Sequence, residues 1–386
     1  MGVIRAEPAR ISDWAAKSVG VAWRAFDLQL TTYAGLLLAI GLVMAYTNSV
    51  EAGSSAIDAG TTFSRGLMWA AIAVVVFLFA TAFDYHWLKT LQWPIYALQL
   101  GLLVVTLAIG DGVGGSARWV SVGPLTFQFS EIAKILMIIV LAGYLASRQR
   151  HLDSLFTLIG ACALVGPPLV LVMLQPDLGT SLVFAAILAG MLWMSGASLR
   201  WLLALGVGVI AMVPIAWTYL LRDYQKARIG AFLDANPDVQ GAGYQLHQAQ
   251  IAVGSGGLFG KGLTNGTQTQ GDLLPVQATD FVFATLGEEL GFIGGLVLFI
   301  LFMLLLWRVL VAGWRSHDAF GTLFAAGLAS MILFQLVVNI GMVLGVMPIT
   351  GIPLPFVTHG GASLVSMAAG LGILQSINIR QTKAAW

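Results

Sequence analysis

Long apolar runs alternate with short polar breaks along nearly the whole chain, and this pattern predicts the architecture. Ten runs approach or exceed the roughly 20 apolar residues that a membrane-crossing helix needs. They lie at about 29–47, 65–83, 90–110, 131–147, 154–174, 177–194, 199–220, 281–312, 319–345 and 359–379. The expected fold is an all-α integral membrane protein, a polytopic bundle of about ten transmembrane helices with one long loop outside the bilayer, about 221–279. Residues 1–28 carry Trp14, Val19, Val21 and Trp23 among basic residues, which suits either a cytoplasmic amphipathic segment or a disordered tail. The remainder, 29–386, reads as a single transmembrane domain without a repeat.

Composition narrows the function classes. Hydrophobic residues make up 58% and charged residues 10%, far from the soluble average. Cys162 is the only cysteine and falls inside a predicted span, which excludes disulfide staples and a cysteine-rich metal cluster. The net charge of +1 offers no basic field for nucleic acid. The polar or amphipathic stretch before the first apolar run does not resemble a cleaved signal peptide.

Charge placement then sets the orientation. An even number of crossings puts both termini on one side, which collects twelve of the 19 basic residues. Basic residues near span ends prefer the cytoplasm, so both termini are expected inside and the long loops outside. The outer side keeps Arg65, Arg118, Lys134, Arg222, Lys226, Arg228 and Lys261.

Against this frame a few polar residues stand out. In Leu273–Gly295, Asp280 sits where the eighth run begins and Glu288 and Glu289 lie within it. Acidic groups at or in a bilayer are expensive, so each is a candidate functional residue. Gly287, Gly291 and Gly295 recur every four residues and predict one closely packed helical face. Asp280 has two readings: a catalytic base, or a cap on the eighth helix.

The loop before the fourth run holds Arg118 and Trp119, then Ser130, Glu131 and Lys134. Ser130 is the expected N-cap, and Glu131 and Lys134, three apart, either pair structurally or meet a substrate. Arg118 serves as a headgroup anchor or as a fork for a diphosphate. Gln175 and Asp177 flank the short turn before the sixth run, where capping favours Asp177. Gln335 and Asn339 share a face of the ninth run. His359 lies in a loop rich in proline and glycine, of a kind tolerated at a membrane only when buried in protein or lining a cavity. The run SGGLFGKG is not a P-loop, and no HExxH or GxSxG motif occurs.

Taken together these motifs resemble the SEDS family (shape, elongation, division and sporulation) of polytopic peptidoglycan glycosyltransferases. The similar segments are GGSARWVSVG with FQFSEIAK, LQPDLGTS, DYQKARI, GSGGLFGKG with NGTQTQ, TDFVFATLGEELGFIG, NIGMVLGVMPITGIPLPF and HGGAS. They cover about residues 30 to 380, and the long loop is more similar to the RodA elongation branch than to the FtsW division branch. The chain departs from the family pattern at Phe129 (usually proline), at Val276 and Ala278 (usually glutamate and histidine), and at His359 and Ala362 (usually tyrosine and serine).

The resemblance implies polymerisation of lipid II at the outer face of the bacterial inner (plasma) membrane. Asp280 would be the catalytic base, with Arg118, Trp119, Glu131, Lys134, Gln175 and Glu289 binding substrate. The leaving undecaprenyl diphosphate would be stabilised by side chains or by a divalent cation such as Mg or Mn. Implied partners are a class B penicillin-binding transpeptidase and other membrane proteins of the elongation complex. A lipid II flippase and a non-catalytic scaffold are the alternative functions.

Overall fold

The computed structural model describes residues 25–51, 61–113, 116–122, 125–233, 243–270 and 280–381. Most of the N-terminal segment, together with Val276 and Ala278, lies outside the described residues. Ten apolar helices follow the ten predicted runs: α1 (Leu28–Glu51), α2 (Thr62–Ala82), α3 (Gln92–Ile109), α4 (Phe129–Ser147), α5 (Leu155–Leu174), α6 (Leu178–Met194), α7 (Leu199–Leu220), α8 (Val282–Trp314), α9 (Ala319–Val343) and α10 (Gly361–Gln381). Among the described residues nine are long and apolar enough to cross a membrane. The other, α6, has 17 residues, which at about 1.5 Å per residue is nearly the thickness of a hydrocarbon core.

Side-chain caps start several of these helices. Thr61, Ser154, Asp177 and Asp318 each accept a backbone N–H from the first turn that follows, satisfying groups the helix cannot pair itself. At α4 the expected cap is corrected: the helix begins at Phe129 with Gln128 at the capping position, so Ser130 is already inside it and buried. α4, α9 and α10 form the centre of the bundle, whereas α7 has no buried residue and lies at its margin against α6.

Two local features depart from the sequence reading. The loop after α3 contains a small antiparallel meander, β1 (Asp111–Val113), β2 (Ser116–Val122) and β3 (Leu125–Phe127). The second is in α8, which is broken at Gly291 (φ 66°, ψ −163°), a conformation open essentially to glycine alone. Gly287, Gly291 and Gly295 therefore do not form one continuous helical face. The break leaves backbone groups unpaired, and a distant loop takes them up. Lys261 and Gly262 N–H donate to the Glu288 and Glu289 carbonyls at 3.0 Å each. Phe292 and Ile293 N–H donate to the Gly257 and Leu258 carbonyls at 2.9 and 3.1 Å. The long loop is thus knitted into the membrane helix.

Candidate functional site

The segments preceding α4, α6, α8 and α10 meet at one end of the bundle, where they line a cavity of about 250 Å³. Strand β2 contributes Arg118 and Trp119, the start of α4 contributes Gln128 and Glu131, and the α5–α6 turn contributes Asp177. Arg228 comes from the short helix Asp223–Leu233. Asp280 enters just before α8, and the 351–363 segment closes the cavity with Thr358, His359 and Ser363 among others. Three carboxylates and two guanidinium groups therefore share one space that the sequence spreads over some 160 residues.

Asp280 is held through its backbone. The Asn339 amide donates to the Asp280 carbonyl at 3.1 Å and to the Ile352 carbonyl at 2.8 Å. One buried side chain thus fixes two walls of the cavity relative to each other. Gly351, with φ 71°, brings its backbone close to the Asp280 carboxylate, since a Cβ there would lie 3.5 Å from Oδ2. The N-cap of α8 is Phe281, which supplies no side-chain cap, and Asp280 stands one residue earlier.

Glu131 and Lys134 form a buried ion pair at 2.7 Å, and both side chains are almost wholly excluded from solvent. Of the two, Glu131 lines the cavity and Lys134 does not. Glu131 Oε2 has no hydrogen-bond partner among the described residues. Arg118 is clipped to the α5–α6 turn: it donates to the Gln175 carbonyl at 3.3 Å, to the Pro176 carbonyl, and to the Tyr224 hydroxyl at 3.0 Å. Asp177 caps α6 through Thr180 N–H at 3.1 Å and also accepts from Gln128 at 3.2 Å. It combines capping with a place on the cavity wall.

Three sequence candidates fall outside the lining. Lys134 serves Glu131. Gln175 is buried and donates to the Leu103 carbonyl at 2.9 Å, with its own carbonyl accepting from Arg118. Glu289 accepts the Thr264 N–H at 3.2 Å within the loop graft. Its neighbour Glu288 is fully buried, paired with Lys261 at 2.7 Å and bonded to the Gln268 and Thr269 backbone at 2.9 and 3.1 Å. These two glutamates fasten the long loop. Arg228, Thr358 and Ser363 were not singled out from sequence. For Arg228 the signal was the basic cluster 222–228, lying against the usual charge bias.

His359 is partly buried, and this burial pushes its pKa below the ordinary histidine value, with the Arg65 charge adding to the effect. Among the described residues no group of three or more His, Cys, Asp or Glu side chains is placed to hold a metal ion. The cationic side chains on the cavity wall are those of Arg118 and Arg228.

Comparison with known proteins gives a consistent picture. The FtsW/RodA/SpoVE family model, described as a cell cycle protein, matches residues 28–383. The peptidoglycan glycosyltransferase MrdB of Escherichia coli is 43% identical over 284 residues, 74% of this chain and 76% of that one. Stage V sporulation protein E of Bacillus subtilis is 37% identical over 357 residues, 91% and 96% of the two chains. A solved chain from a peptidoglycan synthase complex that coordinates polymerization and crosslinking superposes with a TM-score of 0.79 at 30% identity, covering 94% of this chain and all of that one.

Proposed function

The chain belongs to the FtsW/RodA/SpoVE family of membrane proteins and is a peptidoglycan glycosyltransferase, and we propose that it polymerises lipid II at the outer face of the bacterial inner membrane during cell elongation. The observation that carries the site assignment is the cavity in which Asp280 faces Glu131, Asp177, Arg118 and Arg228. In this reading the cavity end of the bundle is the outer end, and both termini are cytoplasmic.

The reaction joins the C4 hydroxyl of an acceptor sugar to the anomeric carbon of a donor. The bond from that carbon to the lipid diphosphate breaks, and the configuration inverts. Asp280 takes the hydroxyl proton. A free aspartate has a pKa of about 3.9, so it is ionised at neutral pH and is a weak base. Transfer is therefore late, when the departing diphosphate has left the anomeric carbon electron-poor. General-base help of this kind is typically worth about 10²–10⁴-fold. Arg118 and Arg228 meet the developing negative charge. Trp119 and Glu131 contact the sugars, Lys134 orients Glu131, and Gln175 orients Arg118 through its carbonyl.

A flippase needs a polar path through the bundle. At the end opposite the cavity the charges are instead paired with each other, Asp27 with Arg308 and Asp84 with Arg380. The glycan product must be crosslinked by a partner, in our reading a class B penicillin-binding transpeptidase, with the exposed apolar faces of α8 and α9 as candidate contacts. Purified protein, alone and with such a partner, should convert lipid II to glycan strands. Absence of glycan under both conditions would overturn the reading.

A further inference from the structure

Breaking the anomeric bond in the reaction proposed above releases a diphosphate, so the cavity must meet an anion as well as a hydroxyl. Besides Arg118 and Arg228, the start of α10 forms part of its wall, through Gly360, Ala362 and Ser363. The first N–H groups of a helix have no partner within it, and they point out of its N-terminal end. The aligned peptide dipoles add about half a positive charge there. Of the three carboxylates in the cavity, Asp177 caps α6 and Glu131 is paired with Lys134, while Asp280 is the base.

The segment before α10 uses its own backbone groups and leaves the helix start over. Val357 and Thr358 N–H donate to the Leu354 carbonyl at 3.3 and 3.0 Å, and Gly360 N–H donates to the Thr358 carbonyl at 2.8 Å. The Thr358 hydroxyl accepts the Leu354 N–H at 2.7 Å. Gly361, Ala362 and Ser363 N–H donate to no group among the described residues, and Gly360 at the capping position has no side chain to serve them. Ser363 is a second, independent sign. It is only 5% exposed, it lines the cavity, and its Oγ has no hydrogen-bond partner among the described residues. Buried hydroxyls are ordinarily paired. A Cβ on Gly361 would run into the Trp69 indole, so the glycine lets this end of α10 seat closely against α2.

We propose that the N-terminus of α10, through the backbone N–H groups of residues 361–363 and the Ser363 hydroxyl, binds the diphosphate of the lipid-linked sugar donor. The assignment rests on the reading of the chain as a lipid II polymerase. N–H groups at a helix start suit phosphate oxygens. Their hold strengthens as negative charge gathers on the oxygen that departs from the anomeric carbon. Arg118 is already bonded to Gln175, Pro176 and Tyr224, so the helix start supplies donors that this arginine has spent elsewhere. Ala362 brings no side-chain donor, which makes Ser363 the one hydroxyl in the first turn.

The test is binding of farnesyl diphosphate, a short soluble probe, to purified protein in nanodiscs of zwitterionic lipid, measured beside glycan synthesis from lipid II. The probe should bind and be displaced by undecaprenyl diphosphate, but not by farnesol or phosphatidylglycerol. Ser363→Ala should weaken binding about tenfold, a 1.4 kcal/mol change, and lower kcat/KM by a similar factor. Ser363→Thr keeps the hydroxyl and should retain both. Ala362→Asp puts a carboxylate in the first turn, where it favours the helix but occupies the anion site. It should remain folded in thermal unfolding and lose the probe, which keeps the proposal testable should Ser363→Ala fail to fold. Unchanged probe binding in either folded variant, or equal displacement by phosphatidylglycerol, would overturn the proposal. Glycan synthesis by protein that does not bind the probe would refute this site and leave the function standing. Specific binding without glycan synthesis would support the site and refute the function.

Discussion

The two ends of the bundle use charge in opposite ways. At the end away from the cavity, Arg308 makes two bonds to one Asp27 oxygen, at 3.0 and 2.5 Å, while Gln375 and the Asp27 backbone exchange bonds at 3.0 and 2.7 Å. Arg380 pairs with Asp84 and donates to carbonyls at the end of α2. These charges are paired with each other, Asp84 while still partly exposed, and tie the start of α1 and the loop after α2 to α8 and α10. At the Asp280 end, charged groups line open space, and Glu131 presents an oxygen without a partner among the described residues. Charge that is used up within the fold stabilises it. Charge on the cavity wall is only partly used up: Arg118 and Asp177 bond to neighbouring protein groups, while one Glu131 oxygen has no partner among the described residues.

The largest stability effect should therefore fall at the closed end. Arg308→Met leaves the buried Asp27 carboxylate without its cation and should destabilise the protein by about 3–5 kcal/mol. Thermal unfolding in detergent checks this. Polymerisation per folded molecule should be unchanged, and an activity loss without destabilisation would erase the distinction between the ends.

Glu131→Gln sharpens the contrast, because Glu131 belongs to both categories. Loss of the charged bond to buried Lys134 should lower stability by about 1.5–3 kcal/mol. If Glu131 also meets substrate, kcat/KM should fall in molecules that remain folded. A drop in stability with normal activity would assign the pair wholly to structure.

A smaller effect separates the ends by pH. The His359 pKa lies below its ordinary value, so the unfolded chain binds a proton more readily than the folded one. Its contribution is present above about pH 6.5 and lost as pH falls from there through the folded pKa. Burial raises the Asp84 pKa, but hydrogen bonds and charge from His86, with Arg380, bring it below the ordinary value. That contribution holds above about pH 3.9 and disappears only in stronger acid. Between pH 7 and 5, hydrogen exchange corrected for intrinsic rates should rise around 356–364 and stay flat around 84–91. His359→Gln should remove the difference, and equal loosening of both regions would contradict it.

The sequence made the ten spans legible because each is a local signal of length and hydropathy. Asp280 was legible as a carboxylate at a span boundary. The break at Gly291 was not, because regularly spaced glycines also suit helix packing. What decides for the break is the backbone of residues 257–262, some thirty positions away, which supplies the missing bonds. The same distance hid the separate duties of Glu288 and Glu289 from that of Asp280. The choice between Glu131 and Lys134 at the cavity wall depends on where α4 starts, and the true start at Phe129 differs from the one that Ser130 suggested. Short strands such as β1 and β3, three residues each, leave too little alternation to read.

The most direct measurement compares Asp280→Asn with the wild type, both purified in detergent and given lipid II, with folding monitored in parallel. Asparagine keeps the shape of the side chain, but it cannot accept the hydroxyl proton. A general-base role requires a folded, membrane-inserted variant whose polymerisation falls by about 10²–10⁴-fold. Near-normal glycan synthesis by that variant would contradict the catalytic assignment and leave Asp280 a structural residue.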